Sequence, residues 1–135
     1  MARAKPVSKP TLVWRAVRRR CPQCGCPGRE LFARWFKVHD QCPRCGLRSE
    51  RVEGHWIGSV GINTILSFAA MGATLVAGFV LTYPRIAALP IALVGLVVMI
   101  GAPLVLWPFS RTLWMALDLM MNPAEKGELD PRYEL

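Results

Sequence analysis

IGSVGINTILSFAAMGATLVAGFVLT, residues 57–82, carries no charge in 26 positions, and IAALPIALVGLVVMIGAPLVLWPF, residues 86–109, adds a second uncharged run of 24. A bilayer core about 30 Å thick is crossed by about 20 helical residues, so each run is long enough to span. A chain of 135 residues is too short to wrap two helices that are apolar on every face inside a soluble core. Only Tyr83, Pro84 and Arg85 separate the runs, which forces them back on each other. The stretch therefore predicts an all-α transmembrane hairpin, with helices at 57–82 and 86–109.

Outward from the hairpin, charge sets the orientation. Residues 1–59 hold 13 Lys or Arg against 4 Asp or Glu, residues 60–109 hold Arg85 alone, and residues 110–135 hold 3 basic and 5 acidic residues. Basic residues gather on the cytoplasmic side of membrane spans. Both termini are thus expected in the cytoplasm, with the chain multi-pass in the membrane. Trp56 and Trp107 then fall near the inner interface and Tyr83 near the outer one. Ala69, Ala73 and Ala77, four residues apart, form a smooth stripe that suits close helix packing, against either the second helix or an integral membrane partner protein. Asn63 is expected to make a helix-to-helix hydrogen bond.

Residues 1–20 form a basic arm with seven positive charges and no acid. Pro6 and Pro10 disfavour a helix at its start, and Thr11 to Arg20 can form a short one. Arg15, Arg18, Arg19 and Arg20 make a basic patch expected to meet anionic lipid headgroups, each contributing about 1 kcal/mol near the surface. After Pro108, residues 110–121 (SRTLWMALDLMM) put Arg111 and Asp118 on one polar edge, which predicts an amphipathic helix lying along the interface. Residues 122–135 read as a polar tail without a core of its own.

Between arm and hairpin lie Cys21-Pro-Gln-Cys24-Gly25 and Cys42-Pro-Arg-Cys45-Gly46. Each Cys-x-x-Cys lets two thiolates converge on one ion, and the following glycine relieves a tight turn. The Cys-x2-Cys-x17-Cys-x2-Cys spacing lies in the range of zinc sites. Cys21, Cys24, Cys42 and Cys45 are therefore the expected metal ligands, with Zn²⁺ the first choice of cofactor and a single iron the alternative. Paired knuckles without an apolar export signal ahead of them point to a metal site in a reducing compartment. A four-thiolate site is closed, so the metal is expected to fold the segment, which is too small to fold without such a clip. Residues 21–53 are read as a small zinc ribbon of short β-hairpins and knuckles, with Phe32 and Phe36 covering the metal. Cys26 and His39 are extra residues beside the site, and His55 lies at the membrane surface, where it could meet a partner or a haem.

The run Arg20-Cys21-Pro22-x-Cys24-Gly25, then Leu31-Phe32, Phe36-Lys37, Cys42-x-x-Cys45-Gly46-Leu47 and Glu50 resembles the bacterial domain-of-unknown-function family 983. The resemblance covers about residues 15–121 and implies a cysteine ribbon before two transmembrane helices. The chain departs from the family pattern at Glu53-Gly54-His55-Trp56, where many members have an acidic entry to the first helix. In several bacterial groups the family's genes lie near those for cytochrome c oxidase and its assembly, so the resemblance implies a link to that enzyme.

A closed metal site, smooth helix stripes and no ionisable group inside either span point to a non-catalytic accessory or assembly subunit of a membrane complex. No paired acid and base, nucleophile elbow or phosphate loop marks an enzyme. No small-molecule substrate is expected. The alternatives are a metal or redox carrier for a membrane enzyme, which would need an exchangeable site, and a membrane-tethered nucleic-acid binder using the arm and ribbon, which is less favoured because core packing accounts for the aromatic residues between the knuckles.

Overall fold

The computed structural model describes residues 6–125 and 127–133. The start of the basic arm, residues 1–5, and the last two residues of the tail lie outside that set. The order is α1 (Lys9–Val17), α2 (Gly28–Leu31), α3 (His55–Thr82), α4 (Ala88–Met121) and a 3-10 turn at Pro131–Tyr133.

The hairpin is present as the sequence predicts. α3 and α4 pack along their length, and the most apolar 18-residue stretches of the two are only 0% and 6% buried. Soluble core helices would bury such stretches, so the exposed leucine, valine, isoleucine and phenylalanine side chains mark membrane-spanning helices. Glycines set the closest approaches. A Cβ at Gly58 would lie 2.1 Å from the Trp114 ring, and one at Gly78 would lie 2.9 Å from Ile91. Ala69, Ala73 and Ala77 are exposed, so their stripe does not pack within the hairpin. Asn63 Nδ2 donates to the Pro103 carbonyl at 3.2 Å, and Ser110 Oγ donates to Asn63 Oδ1 at 3.2 Å.

Residues 110–121 do not lie along the membrane as a separate helix. α4 runs unbroken through Pro103 and Pro108 for 34 residues, about 51 Å at 1.5 Å per residue, well beyond a 30 Å core. Its last turns bury Ser110, Thr112, Met115, Ala116 and Leu119. The reason is a partner that no local pattern reveals. Leu12 and Ala16, four residues apart on α1, join Met115, Ala116 and Leu119 in one apolar cluster with Leu31, Val38 and Leu47 of the cysteine segment. Thr112 Oγ1 donates to the Ala16 carbonyl at 2.8 Å. α1 itself starts earlier than expected, at Lys9, because Pro10 stands in the first turn, where its missing N–H is not needed.

The tail is also part of this core. Ala124 and Leu129 are each 5% exposed and belong to the same cluster. Arg51 ties tail and helix together. Its Nη1 donates to Asp118 Oδ2 at 2.9 Å and to the Asn122 carbonyl at 2.6 Å, and its Nη2 donates to Glu128 Oε2 at 2.7 Å. Burial opposes the Arg51 charge, but the Glu128 and Asp118 carboxylates outweigh it and hold the guanidinium more firmly protonated than usual. Arg111 meets Glu50 at 3.3 Å. The polar edge expected of Arg111 and Asp118 thus faces Glu50 and Arg51, not headgroups.

Candidate metal centre

Each knuckle is a short backbone loop closed on itself. In the first, the Gly25 N–H donates to the Cys21 carbonyl at 2.8 Å and the Cys21 N–H donates to the Cys26 carbonyl at 3.1 Å. In the second, Gly46 donates to Cys42 at 2.9 Å and Cys42 donates to Leu47 at 2.8 Å. Gly25 and Gly46 take φ of 77° and 75°, a left-handed conformation that a side chain disfavours. The β-hairpins expected of the ribbon shrink to two isolated antiparallel bridges, Phe32 with Val38 and Gln41 with Arg48. No strand occurs among the described residues.

The loops bring four sulfurs together, all within 4.8 Å of one another. Cys21 Sγ and Cys45 Sγ are 3.7 Å apart, as are Cys24 Sγ and Cys42 Sγ. A tetrahedral ion with bonds of about 2.3 Å to sulfur requires edges of about 3.8 Å, so the four cysteines fit such an ion. Sulfur in this number and geometry suits zinc or iron. Cys21, Cys42 and Cys45 are buried and Cys24 is half-buried. Hydrogen bonding with Cys21 pushes the Cys24 thiol down to about 7 and lowers Cys42 much further. Cys21 is pushed up by its bonds to Cys24, Cys26, Cys42 and Cys45, with burial adding to the shift. Cys45, lowered by Cys21, is carried up overall by Cys24, Cys42 and burial.

Cys26 holds the place in its knuckle that Leu47 holds in the other. Both are essentially inaccessible, at 0% and 1%, and both offer their carbonyl to the first cysteine of the loop. Cys26 Sγ also lies 3.3 Å from Cys42 Sγ. His39 is exposed and is not one of the clustered ligands. His55 is buried, its ring against Trp114 with centroids 5.7 Å apart. Its buried Nε2 has no hydrogen-bond partner among the described residues.

Arg15, expected to face lipid, turns to the metal loop. Its Nη1 donates to the Gln23 carbonyl at 2.7 Å and the Pro22 carbonyl at 3.2 Å. Arg18 stacks on Trp14 at 4.2 Å, and Arg19 reaches the rings of Trp35 and Phe109 at 5.3 and 5.4 Å. Of the two phenylalanines expected to cover the metal, Phe32 packs against the apolar cluster that includes the cysteines, but Phe36 is 54% exposed. The segment around it docks on α4 instead. Trp35 Nε1 donates to the Leu104 carbonyl at 2.8 Å, and Trp107 Nε1 donates to the Phe36 carbonyl at 3.1 Å. Leu104 stands four residues before Pro108, whose missing N–H leaves that carbonyl without a helical donor. Trp35 supplies the bond, which helps α4 to pass its second internal proline intact.

Residues 32–119 match the model of a family described as a protein of unknown function, DUF983. No curated protein and no solved structure matches the chain.

Proposed function

The chain belongs to the DUF983 family, and on that premise we propose that it is a non-catalytic accessory or assembly subunit of a membrane protein complex. The observation that carries this reading is the exposed stripe of Ala69, Ala73 and Ala77. Small side chains at this spacing let the backbone of another helix come close, and the chain's own second helix does not use them. The cysteine quartet supports the same reading, because four protein thiolates around one ion leave no open position for substrate. In this proposal Zn²⁺ holds the folded cysteine domain in the cytoplasm of a bacterial cell. Both termini lie on that side of the inner membrane, since 13 basic residues precede the first span and only Arg85 lies in the opposite turn. The respiratory cytochrome c oxidase is the partner that the family resemblance points to.

The test is to extract the tagged protein in mild detergent and to identify what accompanies it by mass spectrometry and visible absorption. Subunits of a larger membrane assembly are expected, with haem bands if that assembly is the oxidase, and they should be lost on Ala73→Trp. Recovery of the chain alone would overturn the reading. A second reading, as a metal carrier, draws on Cys26, whose sulfur lies 3.3 Å from Cys42 and could take over a bond during exchange. It requires metal transfer to a chelator faster than the domain unfolds.

A further inference from the structure

Arg18, Arg19 and Arg20 of the arm are joined by Arg29 and Arg34, from between the two cysteine loops, in lining one cleft of about 350 Å³ that contains no acidic residue. The cleft is built, not incidental. Arg19 has φ of 54°, and a Cβ at Gly28 would meet its carbonyl oxygen at 2.5 Å. The turn carrying Arg18 to Arg20 is therefore pressed against the start of α2, beside Arg29. Stacking on Trp14, Trp35 and Phe109 orients Arg18 and Arg19 without neutralising them.

Outside the cleft Arg44 pairs with Glu30, Arg51 with Asp118 and Glu128, and Arg111 with Glu50, while Arg15, held by the Pro22 and Gln23 carbonyls, is not part of the cleft. Among the described residues none of the five in the cleft has a carboxylate partner. Like charges gathered so closely repel, which an anion with several acceptor oxygens would relieve. The cleft also has a definite height. About 20 residues of α4 counted from the Tyr83-Pro84-Arg85 turn reach the region of Trp107, where the hydrocarbon core ends. Pro108 and Trp35 line the cleft, and on the membrane side Leu104 and Val105 are 50% and 56% exposed.

We propose that this cleft binds the phosphate headgroup of an anionic phospholipid, whose acyl chains lie along the exposed face of α4 below Pro108. Guanidinium groups bind phosphate oxygens through paired N–H donors, and the apolar face beneath distinguishes a lipid from a free anion. The site differs from the basic patch expected from the arm. Arg15 leaves it for the metal loop, and Arg29 and Arg34 join it.

The full chain in detergent would be mixed with equal amounts of dioctanoyl-phosphatidylglycerol and dioctanoyl-phosphatidylcholine, and bound lipid counted by native mass spectrometry. Phosphatidylglycerol adducts should predominate by about tenfold or more. Arg29→Gln and Arg34→Gln, both at exposed positions, should each weaken that preference roughly fivefold, while Arg44→Gln, outside the cleft, leaves it unchanged. Equal binding of the two lipids by the natural protein would overturn the proposal whether or not the variants fold, as would an undiminished preference when Arg29→Gln and Arg34→Gln are combined. Inorganic phosphate displacing the lipid at equal concentration would make this a free-anion site, and displacement by single-stranded RNA a nucleic-acid site. Either result also overturns it.

Discussion

The first knuckle, Cys21 to Cys26, and the second, Cys42 to Leu47, have the same backbone hydrogen bonds and the same left-handed glycine, yet each is held from outside by different means. Arg15 of α1 clamps the first with a flexible side chain, donating to the Pro22 and Gln23 carbonyls. The tail clamps the second with rigid backbone, as the Asp130 N–H donates to the Cys45 carbonyl at 2.7 Å. Each clamp comes from one end of the chain, and both ends rest on the same extension of α4. The cysteine centre is thus where the start of the chain, its end and its membrane helix are fastened together. A local motif that could fold around an ion alone is here fixed in orientation to the bilayer.

The largest effect should be symmetric. Cys21→Ser or Cys45→Ser removes one of four ligands from an ion whose binding contributes on the order of 10 kcal/mol to folding in small domains. Either variant should lose its stoichiometric metal by elemental analysis and expose residues 21–53 to protease. Metal retained by one variant and not the other would show that one knuckle binds independently, and the equivalence drawn above would fail.

The clamps should make the glycines unequal. Alanine at either position pays about 1–2 kcal/mol for the left-handed conformation. At Gly25 the new Cβ would meet Arg15 Nε at 3.2 Å, the far end of a side chain that can move. At Gly46 it would meet the Asp130 nitrogen at 3.2 Å, a backbone atom already bonded to Cys45. Gly46→Ala should therefore destabilise the domain more than Gly25→Ala, by roughly the loss of one hydrogen bond, about 1 kcal/mol. Denaturation in detergent with metal present measures both. The reverse order would mean that the tail does not clamp the second knuckle.

The same division separates what the sequence makes legible from what it hides. The four cysteines and the glycines after them lie within five residues of one another in each loop, and the chemistry of such a loop is local. The two spans are legible because apolar length alone decides them. The clamps join residues by tertiary contact. Nothing near Arg15 distinguishes a guanidinium bound to Gln23 from one facing lipid. Pro108 looks like a helix end until Trp35, 69 residues from Leu104, is known to take the orphaned carbonyl. Leu129 looks like part of a polar tail, since one leucine among Glu, Asp and Pro has no periodicity to show that it is buried. Ala69, Ala73 and Ala77 show the opposite case: their small-residue spacing is plain, but which helix they meet is not a property of the spacing.

The smallest effect is expected at Cys26, and it sharpens the comparison most. Its counterpart Leu47 is an apolar core residue at 1% exposure, and equivalence of the two loops assigns Cys26 the same part, filling space under the ion. Cys26→Val nearly conserves volume and keeps the backbone carbonyl that Cys21 needs, so it should cost less than about 1.5 kcal/mol and leave metal content unchanged. A role in metal exchange gives a different result from the same variant. Metal would still bind at equilibrium, but its transfer to a chelator would slow, because the sulfur 3.3 Å from Cys42 would no longer be there to replace a departing ligand. Stability and exchange rate measured together on Cys26→Val therefore separate the two. If both stay near their original values, Cys26 is the first knuckle's Leu47, and the centre serves to fasten the fold.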